Sequence, residues 1–519
     1  MIKHPQRQTV RRPRFLTAMV AIGAAAALSA CADFSGIQGH AKLREPASLA
    51  ADGTTAKAAP SLPWLRSDVW REYGDPQLDA LLEQALKGNP SLQQARLRLE
   101  RAQAQSGVAR SALLPQLGVG AELNRELYSA NSLYPPPLAG SVDDSGTVQL
   151  SGSWELDFFG KNRSALDAAI GSVQAAAADA QAARLLLASN VVRSYYQLAR
   201  LGAQLEVAER TLAQRQEMLG LVRSRLAAGL DTQLELRQSQ GSIPEAQLQI
   251  EALHEQQGLL KNTLAAMVGD PAVAQRLNSP KLPAGPGFSV PSEVPLNLLS
   301  QRADVLAARW RVEAASRDTE VARAQFYPNI NLKAYAGFSA LGFSNLFKSS
   351  SEQWGVGPAI SLPLFSGGRL RANLRVKTAD LDTAIESYNG VVLEAVHDVA
   401  DQLVTAQSLE RQQLEQKSAQ QAAEDAYQIA VQRYKAGLST YLQVLATESN
   451  VLQQRRNAVD LKARGIDTQV AMWRALGGGL PTTAVAVTHD RPVLENGAIQ
   501  LQSALAGQRP PSAVAATTP

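Results

Sequence analysis

The sequence is short of the side chains that perform chemistry. Its 519 residues include a single cysteine, Cys31, so no internal disulfide can form. The five histidines, His4, His40, His254, His397 and His489, share no metal-ligand spacing, and no metal site is expected. Gly118-Val119-Gly120 lies inside an alternating run and does not open a helix, so a dinucleotide loop is excluded by context. No nucleophile elbow or acid–base constellation stands out, and an enzyme is not expected. An excess of one charge is also missing. The formal balance is +4, but Lys3, Arg7, Arg11, Arg12 and Arg14 stand in residues 1–30 without an acid; removing those five turns it to −1. Nucleic acid therefore has no electrostatic attraction to the remainder.

What is present begins with a basic start followed by an apolar run, Phe15–Leu28. It is too short and Ala-rich to span a membrane permanently and reads as an export signal. It leads into Leu28-Ser29-Ala30-Cys31, which resembles the bacterial lipoprotein box, in which the cysteine is lipidated. Ala32 follows where Asp would resemble an inner-membrane retention signal, so delivery to the outer membrane is implied. Arg11-Arg12 matches a twin-arginine signal only in part, and Pro13 counts against it. No cofactor is expected beyond a covalent lipid on Cys31.

Two internal repeats organise the rest. Arg225-Leu226-Ala227-Ala228-Gly229-Leu230-Asp231-Thr232 returns as Arg433-Tyr434-Lys435-Ala436-Gly437-Leu438-Ser439-Thr440. Each copy reads as a helix ending on a cation, a glycine able to reach φ > 0, and a threonine placed to cap the next helix. Two long antiparallel helices therefore meet at a tight tip, twice. The second repeat has a shift of 213 residues: Arg96, Arg98, Glu100, Ala102, Val108, Ala109, Arg110 and Pro115 match Arg309, Arg311, Glu313, Ala315, Val321, Ala322, Arg323 and Pro328. In both copies a helix stops at the proline and the hydrophobic period changes from 3.6 to 2.

After Pro115, Leu117, Val119, Ala121 and Leu123 alternate with polar residues and glycine, and after a polar loop (about 128–146) so do Val148, Leu150, Trp154, Leu156 and Phe158. The second half repeats this with Ile330, Leu332, Ala334, Ala336 and Phe338, then Trp354, Val356, Ile360, Leu362 and Leu364. Strands of about ten residues suit a membrane barrel, although alternation alone equally describes a half-buried soluble strand. The aromatic pairs Phe158-Phe159 and Phe326-Tyr327 at strand ends favour the membrane. Four strands cannot close, and an open edge in lipid leaves backbone groups unpartnered. Two chains give eight strands whose interior side chains fill; three give twelve and leave a bore.

Lys161–Leu226 and Arg369–Tyr434 contain no proline and reach about 100 Å each as helices; the returns, Thr232–Val268 and Thr440–Leu476, reach about 55 Å. Leu198, Leu205, Leu212, Leu219 and Leu226 keep a heptad, as do Leu445, Leu452, Val459, Ile466 and Trp473. Short helices stacked end to end beside long ones would make a cylinder. Gly241 and Pro244 are expected to interrupt the first return helix. The expected plan is a signal (1–30), a lipidated tether (31–69), short helices (70–114), a strand pair (115–158) and a helical hairpin (159–269). A linker (270–301) leads to a short helix (302–327), a strand pair (328–365), a second hairpin (366–477) and a tail (478–519). The fold class is mainly α with membrane β, four strands per chain entering a twelve-stranded trimeric barrel continued by a helical barrel.

These features resemble the outer-membrane efflux protein family (TolC-like), in its lipoprotein branch of resistance-nodulation-division systems. The resemblance covers roughly Trp70 to Gly477. It rests on Tyr73-Gly74-Asp75-Pro76-Gln77-Leu78, Asn89-Pro90-Ser91-Leu92, Arg302-Ala303-Asp304-Val305, Leu362-Pro363-Leu364-Phe365-Ser366-Gly367-Gly368-Arg369 and Arg433 through Leu445. It implies a homotrimer in the outer membrane, helices in the periplasm, and tips that meet a membrane-fusion adaptor and an inner-membrane transporter. Arg225, Gly229, Asp231, Thr232, Glu235, Arg433, Gly437, Thr440 and Gln443 are then the docking and gating candidates. Many relatives carry acids at positions matching Gln443 and Ala446; this chain has none, and Glu448, Asp231 or Glu235 are the nearby substitutes. The expected role is a passive efflux duct. A protein-secretion outlet of the same fold and a periplasmic coiled-coil scaffold are the rivals.

Overall fold

The computed structural model describes residues 34–44, 54–55, 66–283 and 294–479. The lipidation candidate Cys31, the signal and the stretch beyond Gly479 lie outside the described residues. The chain forms α1 (Pro76–Gly88), α2 (Pro90–Ser111), β1 (Gln116–Leu127), β2 (Val142–Glu155), α3 (Lys161–Ala227) and α4 (Gln233–Val268). It continues with α5 (Ala303–Ala324), β3 (Asn329–Leu341), β4 (Glu352–Ser361), α6 (Arg369–Lys435) and α7 (Tyr441–Ala475).

Helix starts follow from local chemistry. The Asp75 carboxylate accepts from Gln77 N at 2.9 Å, and the Asn89 side chain accepts from Leu92 N at 3.1 Å, each with proline at the first helical position. Short helices meet end to end in twin joints. Asn89 Nδ2 donates to Met267 O at 2.8 Å, tying the end of α4 to the start of α2. Arg302 Nη1 donates to Ala475 O at 3.1 Å, tying α7 to α5. Arg302 is buried, and Asp304 at 2.8 Å and Asp398 at 3.3 Å balance its charge.

Helices α3 and α6 run the full length. In one half of the body the order is α2-α3-α5-α6, and in the other α4-α3-α7-α6, so both arcs end on α6 at one side. The main core lies at mid-body, where Trp70 meets Trp473 edge-on at 5.6 Å and Tyr195, Leu198, Leu264 and Val392 are buried. Tyr195 donates to Asp75 at 2.6 Å, linking the motif around Pro76 to α3.

The sheet is antiparallel in the order β1-β2-β3-β4. Strand β2 begins at Val142, inside the stretch expected to be loop, because its polar residues pair in register with Asn124–Leu127; a ladder partner overrides local composition. Leu156–Phe158 and Leu362–Leu364 continue the alternation in sequence but lie past the strand ends.

Two further expectations need revision. Helix α4 runs unbroken through Pro244, so the expected interruption is absent. Residues 34–44, read as part of a tether, are docked along α6. Asp382 accepts from His40 N and Ala41 N at 3.0–3.1 Å, Asn389 bonds both Arg44 N and Lys42 O at 2.9 Å, and Phe34 packs edge-on against Phe326 at 5.0 Å. An aperiodic segment can thus order on a partner that supplies its hydrogen bonds.

Candidate functional site

Two regions concentrate the candidate residues: the paired tips and the sheet. At each tip the helix ends in the same hydrogen-bonded turn. Leu230 N donates to Arg225 O at 2.9 Å and Gly229 N to Leu226 O at 3.0 Å; Leu438 N donates to Arg433 O at 2.8 Å and Gly437 N to Tyr434 O at 3.0 Å. This double closure needs a left-handed residue, and Gly229 (φ 72°) and Gly437 (φ 76°) supply it.

The next helix starts differ. Thr232 and Glu235 form a reciprocal capping box at the start of α4. Thr440 stands at the corresponding position of α7, but its side chain makes no capping bond; Gln443 replaces the glutamate of the box.

The tips also differ in charge. In the first, Arg225 Nε lies 3.1 Å from Asp231, with both side chains largely buried. Asp231 also accepts from the Tyr434 hydroxyl of the second tip, and the Arg225 guanidinium stands 4.5 Å from the Tyr434 ring centroid. Arg225 Nη1 reaches Lys435 O at 3.4 Å. Burial, reinforced by the Asp231 bond, pushes the Tyr434 phenol well above its ordinary pKa and keeps it a donor. In the second tip Ser439 replaces Asp231, and Arg433 is exposed and makes no ion pair among the described residues. Tyr434, Tyr441, Val222 and Val444 form a small apolar cluster beneath.

None of the three substitute acids is free. Asp231 is paired, Glu235 is engaged by Thr232, and Glu448 is buried on α7 against Arg215 of α3 at 3.2 Å. Burial raises the Glu448 pKa despite Arg215. Arg215 also donates to Ser242 O at 2.7 Å, so it joins α3, α4 and α7. Gln443 and Ala446 are exposed and uncharged. Sequence reasoning did not single out Tyr434 or Arg215. The available signal for Tyr434 was its place in the repeat, where the twin is Leu226.

The sheet has two chemically distinct faces. Register puts Leu117, Val119, Ala121 and Leu123 beside Val148 and Leu150, these beside Ala336 and Phe338, and Ala336 beside Trp354. Val119, Trp354, Val356 and Ile360 are 65–80% exposed, an apolar surface left open by the described residues of one chain. The other face carries Glu122, Asn124, Ser145, Thr147, Gln149, Ser151, Lys333 and Ser339. At the strand–helix junction, Phe159 stacks on Tyr327 at 4.9 Å, and Phe158 and Phe365 are exposed. An apolar face with an aromatic border opposite a polar face is the two-sided pattern of a membrane barrel. Among the described residues no helix is long and apolar enough to cross a membrane, and no metal-holding cluster occurs.

The family model described as outer membrane efflux protein matches residues 81–270 and 294–478. The chain belongs to this family. It is 40% identical over 320 residues to the fusaric acid resistance protein FusA of Burkholderia cepacia, covering 61% of this chain and 60% of that one. It is 34% identical over 383 residues to the multidrug resistance outer membrane protein MdtP of Escherichia coli strain K12, covering 70% and 78%. Among solved structures, the outer membrane protein VceC of Vibrio cholerae superposes with a TM-score of 0.75 at 36% identity, covering 79% of this chain and 98% of that one. This outer membrane efflux protein is accordingly a transport protein and not an enzyme.

Proposed function

We propose that three copies assemble into a lipid-anchored export duct, the outer-membrane component of a tripartite pump for small toxic compounds. Twelve strands would cross the outer membrane, and the helices would continue the bore through the periplasm. One observation carries this reading. Exposed large apolar side chains gather on the helices at the two ends of each arc: Val376, Leu393, Val404, Leu414 and Ile429 on α6, Leu97 and Val108 on α2, and Leu248 and Leu259 on α4. The inner helices show almost none; α3 exposes Leu186, α7 exposes Leu442, and α5 has no such residue. The repeat says what belongs on the open side of α2. Its twin α5 packs side by side with both α3 and α6, whereas among the described residues α2 packs extensively side by side with α3 only, so the α6 of a second copy fits the vacancy. The strand edges of β1 and β4 call for the same closure.

Membrane attachment follows the same geometry. Phe34 lies against Phe326 and Tyr327 at the aromatic border, and Cys31 precedes it by three residues in the sequence. A lipid on Cys31 would therefore enter the membrane surface beside the barrel. At the far end, the tips are the surfaces for a periplasmic adaptor, with exposed Leu230 and Leu234 on one and Leu438 and Leu442 on the other. Energy would come from an inner-membrane transporter of the resistance-nodulation-division type. The Arg225–Asp231–Tyr434 group is the latch that holds the two tips of one copy together.

The test is the mass of the protein extracted from membranes in a mild detergent, measured by light scattering. Three chains per particle is the expected result; a stable monomer retaining its folded helices refutes the assembly. Labelling with a radioactive fatty acid, lost in Cys31→Ser, tests the anchor separately.

A further inference from the structure

The two loops at the end of the sheet remote from the helices fold in opposite directions. Leu346 methyl carbons lie 3.2–3.4 Å from where a side chain at Gly146 would stand, and Leu123 reaches the same point at 3.1 Å. Phe347 packs on Phe338 at 5.8 Å. Gly146, Leu123 and Phe338 all belong to the apolar face, so the 342–351 loop leans over that face.

The 128–141 loop does the reverse. Tyr128 follows β1 with the parity of Glu122 and Asn124, which puts its side chain on the polar face with Glu126 and Ser145 as electrostatic neighbours. It is nevertheless only 7% exposed. Tyr134 covers it edge-on, with ring centroids 4.9 Å apart. The loop is internally braced: Tyr128 N donates to Ser141 O at 2.9 Å, Gly140 N to Tyr128 O at 2.8 Å, and Leu138 N to Pro135 O at 3.1 Å. Pro135, Pro136 and Pro137 restrict it further.

We propose that this loop is a built-in constriction of the outer mouth, seated over the bore by Tyr128 and Tyr134, and that it sets the size limit for passage there. The inference rests on the reading of the polar face as the bore. Twelve tilted strands leave about 24 Å between opposite backbones. Three braced loops of this length leaning inward fill much of that opening, while the 342–351 loops leave it clear.

The test uses the scarcity of cysteine. Ser151→Cys places a thiol on the polar face within the barrel, and Leu150→Cys places its neighbour on the apolar face. Intact cells are treated with hydrophilic maleimides of increasing size, with the unsubstituted chain as the background for Cys31. Labelling at position 151 is compared in three backgrounds: the native loop, Tyr134→Ala, and a chain with residues 130–139 replaced by two glycines. The expected result is labelling by the smallest reagent in all three and a higher size cut-off when the loop is released or shortened. The same cut-off in all three overturns the constriction while leaving the channel intact. Labelling of Leu150→Cys but not Ser151→Cys overturns the assignment of faces, and the constriction with it. If the shortened chain fails to reach the membrane, Tyr134→Ala decides alone.

Discussion

Removing the Asp231 carboxylate should loosen the paired helical tips. Asp231 accepts from Arg225 Nε at 3.1 Å and from the Tyr434 hydroxyl, which belongs to the other tip. The Arg225 and Asp231 side chains are 11% and 6% exposed, so solvent screens their interaction little. A hydrogen bond to a charged partner in such a setting contributes about 1.5–3 kcal/mol. If that contact exists only when the tips are together, its loss multiplies the open-to-closed ratio by roughly 10 to 150. Asp231→Asn keeps the size of the side chain and removes its charge; Tyr434→Phe removes only the hydroxyl. Each should raise the single-channel conductance in planar bilayers, and the double variant should add little to the larger single effect, because both break one contact. Conductances equal to the unsubstituted channel, or effects of the two substitutions that simply add, would refute the latch.

Three further outcomes follow from the fold. Gly437→Ala should lower thermal stability by about 1–2 kcal/mol in calorimetry, since alanine resists φ near 76°; an unchanged melting curve contradicts the turn geometry. Val356→Arg, on the apolar face, should cost about 2–4 kcal/mol and reduce membrane insertion in a heat-modifiability gel, whereas Ser151→Arg on the polar face should insert normally. Glu448 is buried with its pKa raised, so the folded state holds its proton more tightly than the unfolded chain does. Its contribution is most favourable at low pH and is lost as pH rises from the unfolded pKa through the folded one. Glu448→Gln should remove that segment of the stability–pH curve, measured by thermal unfolding between pH 4 and 8.

The parts legible in the sequence are those written by local repetition. Leu117, Val119, Ala121 and Leu123 announce one face of β1 because a strand has period two, and Gly229 and Gly437 mark the tips because few residues accept the left-handed turn. The latch was not legible, since Asp231 and Tyr434 are far apart in sequence and the repeat invites treating the tips as equal. The docking of residues 34–44 was hidden for a different reason: its hydrogen bonds are to Asp382 and Asn389, polar side chains within a long helix that carry no mark of that role in the sequence. Thr440 shows the limit of reading by analogy. It occupies the capping position, but the reciprocal bond needs the glutamate that only the first copy has.

The unlike wiring of Arg225 and Arg433 has a consequence for whatever meets the duct from below. Three copies would present six berths around a ring, alternating between one whose cation is already neutralised from within and one whose cation is free. A partner built from identical subunits would have to tolerate both, either by gripping the leucines common to them or by engaging only every second position. A partner subunit that carries an acid opposite the tip would distinguish the two at once, preferring the Arg433 berth.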